Sequence, residues 1–390
     1  MAELTPRERV EMVLSHEEPD RVPVDFGGMN TSIYEMPDWW PNKLEYYGYK
    51  ALVEYLGLKD VPKPYLNAAN CVINVDERIL NRYGVDFQYL YMSIPKPKMN
   101  PDGTVETIFK LKVKPVGYYM EVYDPPLGGK ITFKDIDSFE WPDPEDPVFS
   151  AKAKKRVLRM RENSERVIVA LASFAEQIFQ NYAWIRGFTQ MLLDMQRDPE
   201  LFHYFTDTLL SVEEGIIESF YSEVGEYIDF AYIAEDMGTQ QAPFVSPEQY
   251  KELWKPYHKR MVKHIKQFTD ARIMWHCCGA IEPLIPHLID LGVDVLQVIQ
   301  PLARGMEPES LKRSYGDKLT FDGGIDVQRL LPKGSPEEIK AECERVIRIL
   351  GRNGGYIFAP SHNIQPDTPP QNVVAMLEAG VEYGKYPFEE

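Results

Sequence analysis

From residue 151 to the C-terminus, short apolar runs alternate with longer stretches of helical periodicity, and few folds accommodate that rhythm. A charged helix is predicted over 151–165. It leads into Arg166-Val167-Ile168-Val169-Ala170-Leu171-Ala172-Ser173, a run without polar alternation that ends in small residues. A long helical stretch follows to about Val224, with Trp184, Met191 and Leu192 on its apolar face. Strand 227–234, helix 247–267, strand 271–276, helix 280–291, strands 294–300 and 319–323, helix 336–351 and strand 355–360 complete the series. Strands that are apolar along their whole length are buried on both faces, as in a parallel sheet covered by helices. With 22–26 and 85–90 added, seven or eight strands are available. That number favours a closed (β/α)8 TIM barrel over an open doubly wound sheet. The Gly-x-Gly-x-x-Gly turn of dinucleotide-binding sheets does not follow the first strand.

Two regions decorate the barrel. Residues 5–17 read as a short amphipathic helix with Thr5 as N-cap and Pro6 at the first helical position. Residues 91–150 are rich in proline, with a turn at Asp102-Gly103 and alternation over 104–110, which predicts antiparallel strands inserted into the barrel. The expectation is therefore one barrel domain over 1–390, with an N-terminal elaboration and a β-rich insertion. A hydrophobic content of 44% and a charged content of 26% exclude intrinsic disorder and fibrous repeats. Forty-three basic against 60 acidic residues leave a formal charge of −17, which disfavours nucleic acid and anionic membranes as partners. No apolar run reaches the roughly 18 residues of a spanning helix, and the first residues lack a signal peptide's apolar segment. Four cysteines, two of them adjacent, suit a reducing compartment, so a soluble cytoplasmic protein is expected.

Reactive groups of such a barrel stand at the C-terminal ends of its strands. Those ends carry Asp25, Glu176, Glu235 with Asp236, His276 with Cys277 and Cys278, Gln297 and Gln300, Asp322, and His362. In Trp275-His276-Cys277-Cys278-Gly279, strand alternation turns His276 and Cys278 to one side and Cys277 to the other. An imidazole and a thiolate so placed suit Zn²⁺, with His362 as the best further ligand; the alternative is that they simply pack. Glu235 and Asp236 read as a general acid or substrate contact, or else as a helix cap. Asp322-Gly323-Gly324 reads as a glycine-bearing, cofactor-binding loop, or else as a tight strand-to-helix turn. Asp25, Glu176, Trp275, Gln297 and Gln300 are read as lining a substrate pocket. Tyr34 and Trp39, with Trp40, Tyr46 and Tyr47, either cap an apolar ligand there or pack on the fold. The histidines at 16, 203, 258, 264 and 287 fall in predicted helices and read as partly exposed surface residues, and Cys71 and Cys343 as inert.

These residues, in this order, resemble the uroporphyrinogen decarboxylase superfamily. The resemblance rests on Pro6-Arg7-Glu8-Arg9-Val10, Pro19-Asp20-Arg21-Val22-Pro23-Val24, Glu235-Asp236-Met237-Gly238-Thr239-Gln240, Trp275–Gly279, Leu291-Gly292-Val293-Asp294 and Phe358-Ala359-Pro360-Ser361-His362. It implies a (β/α)8 barrel and either a tetrapyrrole decarboxylase or a zinc-dependent corrinoid methyltransferase. The decarboxylases' arginine-rich stretch after the first strand, of the form Met-Arg-Gln-Ala-Gly-Arg, is absent here. No Lys or Arg lies between Arg21 and Lys43, and a mouth without those cations repels an octacarboxylate. The methyltransferase branch carries His-x-Cys, matched by His276 and Cys278, and a further Cys where this chain has His362. Its additional Glu corresponds to about Gln297 or Gln300. A zinc with fewer anionic ligands is the stronger Lewis acid toward oxygen or nitrogen. The resemblance thus implies the enzyme that takes a methyl group from a methoxy-aromatic ether or methylamine, the O-demethylase type being favoured, with Zn²⁺ as cofactor. The corrinoid would come from a separate partner protein, because no histidine here has the Asp two residues before it that the cobalt-ligating motif Asp-x-His-x-x-Gly needs. A uroporphyrinogen decarboxylase, a methylcobalamin:thiol methyltransferase and a non-enzymatic binding module are the alternatives, and a homodimer is left open.

Overall fold

The computed structural model describes residues 3–36, 47–66, 71–96, 98–100 and 103–388. Strand β1 (Phe87–Tyr91) is followed by the inserted strands β2 (Lys98–Met99), β3 (Val105–Glu106), β4 (Lys112–Val116) and β5 (Tyr119–Asp124). Then come β6 (Val167–Leu171), β7 (Phe230–Ala234), β8 (Arg272–His276), β9 (Val295–Ile299), β10 (Thr320–Ile325) and β11 (Tyr356–Pro360). β1 and β6 to β11 form a seven-stranded parallel sheet in the order β1-β6-β7-β8-β9-β10-β11, and β2 to β5 form a separate antiparallel sheet.

Segment 22–26 lies between the two outer strands of the parallel sheet. Val24 bridges Val85 on one side and Phe358 of β11 on the other, both in parallel sense. Asp25 N donates to Phe358 O and Asp86 N to Val24 O, each at 2.9 Å. The sheet thereby curls into a TIM-type barrel. Because this seam has only single bridges, side chains reinforce it: the buried Asp86 carboxylate accepts from Arg9 Nη1 (2.6 Å), Arg21 Nη1 (2.7 Å) and Val24 N (2.8 Å). Charge-assisted bonds of this kind are roughly twice as strong as neutral ones.

Strand alternation sorts the apolar residues into two clusters. Val167, Val169, Leu171, Phe230, Tyr232, Met274 and Val295 fill the barrel interior, while Ile168, Ala170, Ala231, Ile233, Ile273 and Leu296 pack beneath the helices. Helix α1 (Pro6–Leu14) closes the floor with Val10 and Val13. Thr5 as N-cap and Pro6 at the first turn match the sequence reading, and Glu8 completes a capping box with Thr5.

Several element predictions need correction. The stretch to Val224 is three helices, α2 (Ile178–Arg186), α3 (Phe188–Arg197) and α4 (Pro199–Val224). Gly187, at φ +85°, breaks the first junction, and Asp198 before Pro199 caps the helix after the second. The predicted helix 247–267 contains a π-turn at Tyr250–Trp254 before α5 (Lys255–Ile265), because Pro256 has no N–H to give to the preceding turn. Asp322, Gly323 and Gly324 are not a loop but lie inside β10, where the register against β9 shifts between Asp322 and Gly323. A Cβ on Gly323 would stand 2.8 Å from Ile299 N, so only glycine permits that approach. His16 follows α1 in a turn at φ +56° rather than lying in a helix. Trp39, Trp40 and Tyr46 lie outside the described residues. Among the described residues no helix is long and apolar enough to cross a membrane.

Candidate metal centre at the barrel mouth

His276 ends β8 opposite Ala234 of β7, so the alternation that turns Tyr232 and Ala234 inward also turns Asp236 and His276 inward. Cys278 returns to the same side two residues later. Its Sγ lies 3.4 Å from His276 Nε2, and the His362 ring, just past β11, stands 6.1 Å from the His276 ring between centroids. One donor atom from each of His276, Cys278 and His362 fits within a mutual distance of 4.8 Å. Ligand atoms on one tetrahedral Zn²⁺, at about 2.0–2.3 Å from the ion, stand roughly 3.3–3.8 Å apart. The three donors thus fit one small cation after a slight closing movement.

Electrostatics agree with the geometry. Burial, and then the neighbouring His276, push His362 down to about 4, which keeps its imidazole neutral with a lone pair to give. Burial and then Asp236 push the Cys278 thiol up, a penalty that a divalent cation would reverse. Burial also works to raise Asp236, but His276 and the Cys278 N–H outweigh it and hold the carboxyl well below its usual range. Asp236 Oδ1 accepts from Cys278 N at 2.9 Å and lies 3.4 Å from His276 Nε2.

The outward residues of the same strand ends serve the helical layer, which corrects three expectations. The Glu235 carboxylate is fully buried and accepts from Phe179 N (3.0 Å) and Gln180 N (3.2 Å) at the start of α2, so it caps that helix instead of facing a substrate. It also meets His258 Nε2 at 3.0 Å, and His258 Nδ1 meets the Tyr250 hydroxyl at 3.0 Å. Burial pushes Glu235 up and His258 down to about 3, so this pair is a neutral hydrogen bond, not an ion pair. His258 is accordingly a core residue and not a surface one. Trp275 packs edge-on against the His258 ring, 5.1 Å away, outside the barrel. Glu176 accepts from Tyr221 Oη (2.5 Å) and Ala172 N (2.7 Å) beneath α4, and burial pushes it up to about 8. Cys277 also points outward, its Sγ accepting from Met237 N at 3.3 Å.

The remaining candidates divide between floor and rim. On the floor, Tyr232 Oη donates to Gln297 Oε1 (2.5 Å) and receives Asn30 Nδ2 (2.8 Å), while its ring stacks 6.2 Å from His276. Beside them Asp25 accepts from Tyr89 Oη at 2.5 Å and adjoins Asp322. Burial pushes Asp25 up to about 7 and Asp322 well up, the expected behaviour of adjoining carboxyls that cannot both ionise. On the rim, Gln300 Oε1 accepts from Gly279 N and Gln240 Nε2, both at 3.0 Å, and so props the loop carrying Cys278. Gly279, at φ +89°, lets that loop pass backbone to backbone against Gly238. Tyr34 is buried, edge-on to Tyr119 of the inserted sheet at 6.2 Å, and the side chain of Gln365 lies beside both hydroxyls. The Tyr119 hydroxyl lies within electrostatic reach of Cys278, so the inserted sheet borders the candidate site.

Tyr89, Tyr232 and Tyr119 find no place among the sequence candidates, and His258 stands there only as a surface residue. Tyr232 was within reach of the sequence reading, because it sits an even number of positions before Asp236. Tyr119 and His258 reach the site region only through tertiary contacts.

A profile of the uroporphyrinogen decarboxylase (URO-D) family matches residues 116–383, from the inserted sheet to the last helix. The chain belongs to the URO-D family. Its relatives include the uroporphyrinogen decarboxylases of Chlorobium luteolum, 26% identical over 205 residues (51% of this chain, 52% of the relative), and of Chlorobium phaeovibrioides, 24% identical over 269 residues (65% and 70%). This URO-D chain thus spans about half the length of the first of these. Among solved structures, a methyltransferase from Methanosarcina mazei superposes with a TM-score of 0.63 at 16% identity, covering 98% of this chain and 99% of that one. At that identity the likeness speaks for a shared barrel fold.

Proposed function

We propose that this URO-D family member is a zinc-dependent methyltransferase that moves a methyl group from a methylated small molecule, of methoxy-aromatic ether or methylamine type, to a corrinoid carried by a separate protein. The observation that carries the reading is the convergence of His276, Cys278 and His362 at the barrel mouth. Zn²⁺ bound by these residues would supply a Lewis acid toward the donor's heteroatom. The chain's own side chains do the rest. Tyr232 stacks on His276 and fixes its ring from below. Gln300 holds the loop that presents Cys278. Tyr119, held edge-on by the buried Tyr34, would offer a planar donor an aromatic contact. Asp236 adds a carboxylate at the edge of the cluster, its Oδ1 3.4 Å from His276 Nε2.

The names of the relatives favour a second reading, porphyrinogen decarboxylation. Against it stands the stretch from Val22 to Asn42, which holds no Lys or Arg where an octacarboxylate needs cations. The deciding experiment mixes the zinc-loaded protein anaerobically with cob(I)alamin and a panel of methoxyarenes and methylamines. Methylcobalamin absorbance should grow with at least one donor and fail to grow with Cys278→Ala. Release of CO₂ from uroporphyrinogen III, with no methyl transfer, would overturn the proposal in favour of the decarboxylase. Demethylation of methylcobalamin by a thiol alone would point to the opposite half-reaction.

A further inference from the structure

Three donors leave a tetrahedral ion one position short, and the described residues around His276, Cys278 and His362 narrow the choice for it. Cys277 points away, its sulfur engaged by Met237 N. The Gln297 and Gln300 carbonyl oxygens are taken by the Tyr232 hydroxyl and by Gly279 N. Asp236 alone combines an anionic oxygen with contact to the cluster: Oδ1 is 3.4 Å from His276 Nε2, about the spacing of two ligand atoms on one tetrahedral ion. Cys278 N–H, 2.9 Å away, holds that same oxygen in place, the kind of outer contact that orients a ligating carboxylate. Charge balance points the same way. Two neutral imidazoles and one thiolate leave a divalent cation with one uncompensated charge, and a carboxylate removes it. Asp236 is also far more open than His276: its side chain keeps 45% of its surface accessible, against 3% for the imidazole.

We infer that Asp236 supplies the fourth, displaceable ligand of the cation held by His276, Cys278 and His362, so that a methyl donor enters by taking its place. The inference rests on the metal reading above. Asp236 stands outside the group of donors that lie within 4.8 Å of one another, so ligation requires its short side chain to close on the ion and displacement lets it swing back.

Co²⁺ substitution tests this without turnover. The wild-type protein should bind one Co²⁺ with a thiolate charge-transfer band that Cys278→Ala abolishes. Asp236→Ala should keep that band, change the visible d–d spectrum, and lower Co²⁺ affinity in chelator competition by at least about tenfold. Imidazole added as an outside ligand should perturb the Asp236→Ala spectrum at lower concentration than the wild type. Asp236→Asn, which preserves shape, should lie between the two and guards against a folding artefact. Unchanged affinity and spectrum in Asp236→Ala, with the Cys278-dependent band intact, overturn this inference and leave the metal centre standing. A wild-type protein that binds no Co²⁺, or whose band survives Cys278→Ala, overturns both.

Discussion

The inward and outward faces of the same strand ends differ in every respect that matters for chemistry. Inward stand Asp236, His276 and Cys278, clustered at the mouth with His362. Outward stand Glu235, Trp275 and Cys277, one residue away in each case, sealed beneath helices and hydrogen-bonded or packed there. Two adjacent carboxyls thus end in opposite states: burial drives Glu235 up, while His276 and a backbone N–H hold Asp236 down. Residue type offers a function, and strand parity decides whether it is used.

The sharpest way to break this contrast is at the paired cysteines. Cys278→Ala should abolish stoichiometric zinc in elemental analysis, whereas Cys277→Ala should retain it; equal loss in both would mean the two faces are not distinct. Next in size is Glu235→Ala, which strands two backbone N–H groups and His258 and should cost about 1–3 kcal/mol in chemical denaturation. Glu235→Gln, still able to bond His258, should recover most of that, and neither variant should lose zinc.

Acid and alkali probe the outward face more gently. His258 titrates near 3 when folded, against an ordinary value of 6.5, so the unfolded chain binds the extra proton. Its contribution to stability is complete above about pH 6.5 and is lost as the pH falls toward 3. Glu176 runs the other way: raised from 4.5 to about 8, it stabilises fully below pH 4.5 and loses that contribution as the pH rises through 8. Glu176→Gln should therefore flatten the alkaline limb of a stability–pH curve and leave the acid limb alone; an unaltered alkaline limb would remove Glu176 from the account. The smallest effect is expected at Tyr119→Phe, a change of a few-fold in apparent donor affinity with zinc content unchanged, read in the cobalamin assay.

Much of the fold was legible because a parallel barrel repeats one message. Val167–Leu171 and Val295–Ile299 are buried along their whole length, as is Phe230–Ala234 up to its last residue, and such runs have few other uses. The His-x-Cys pair was legible for the same reason, since alternation needs only local sequence. Glu176 and Trp275 were misassigned, and Glu235 took its helix-capping alternative, because lying near a strand end does not say which face a residue joins. Asp322 and the two glycines after it looked like a loop because glycine signals turns, yet here it lets β10 approach β9. His258 was beyond local reading, since its partner Glu235 meets it only once α5 is docked.

The seam at Val24 bears on how the molecule can be cut. Arg9, Asp20 and Arg21 tie the first turn of chain to Asp86 beside β1, so the leading twenty-odd residues act as a clasp on a ring that backbone pairing alone fastens at one point per side. A fragment trimmed past that clasp would be an unzipped ribbon with two bare rims, prone to stick to its neighbours.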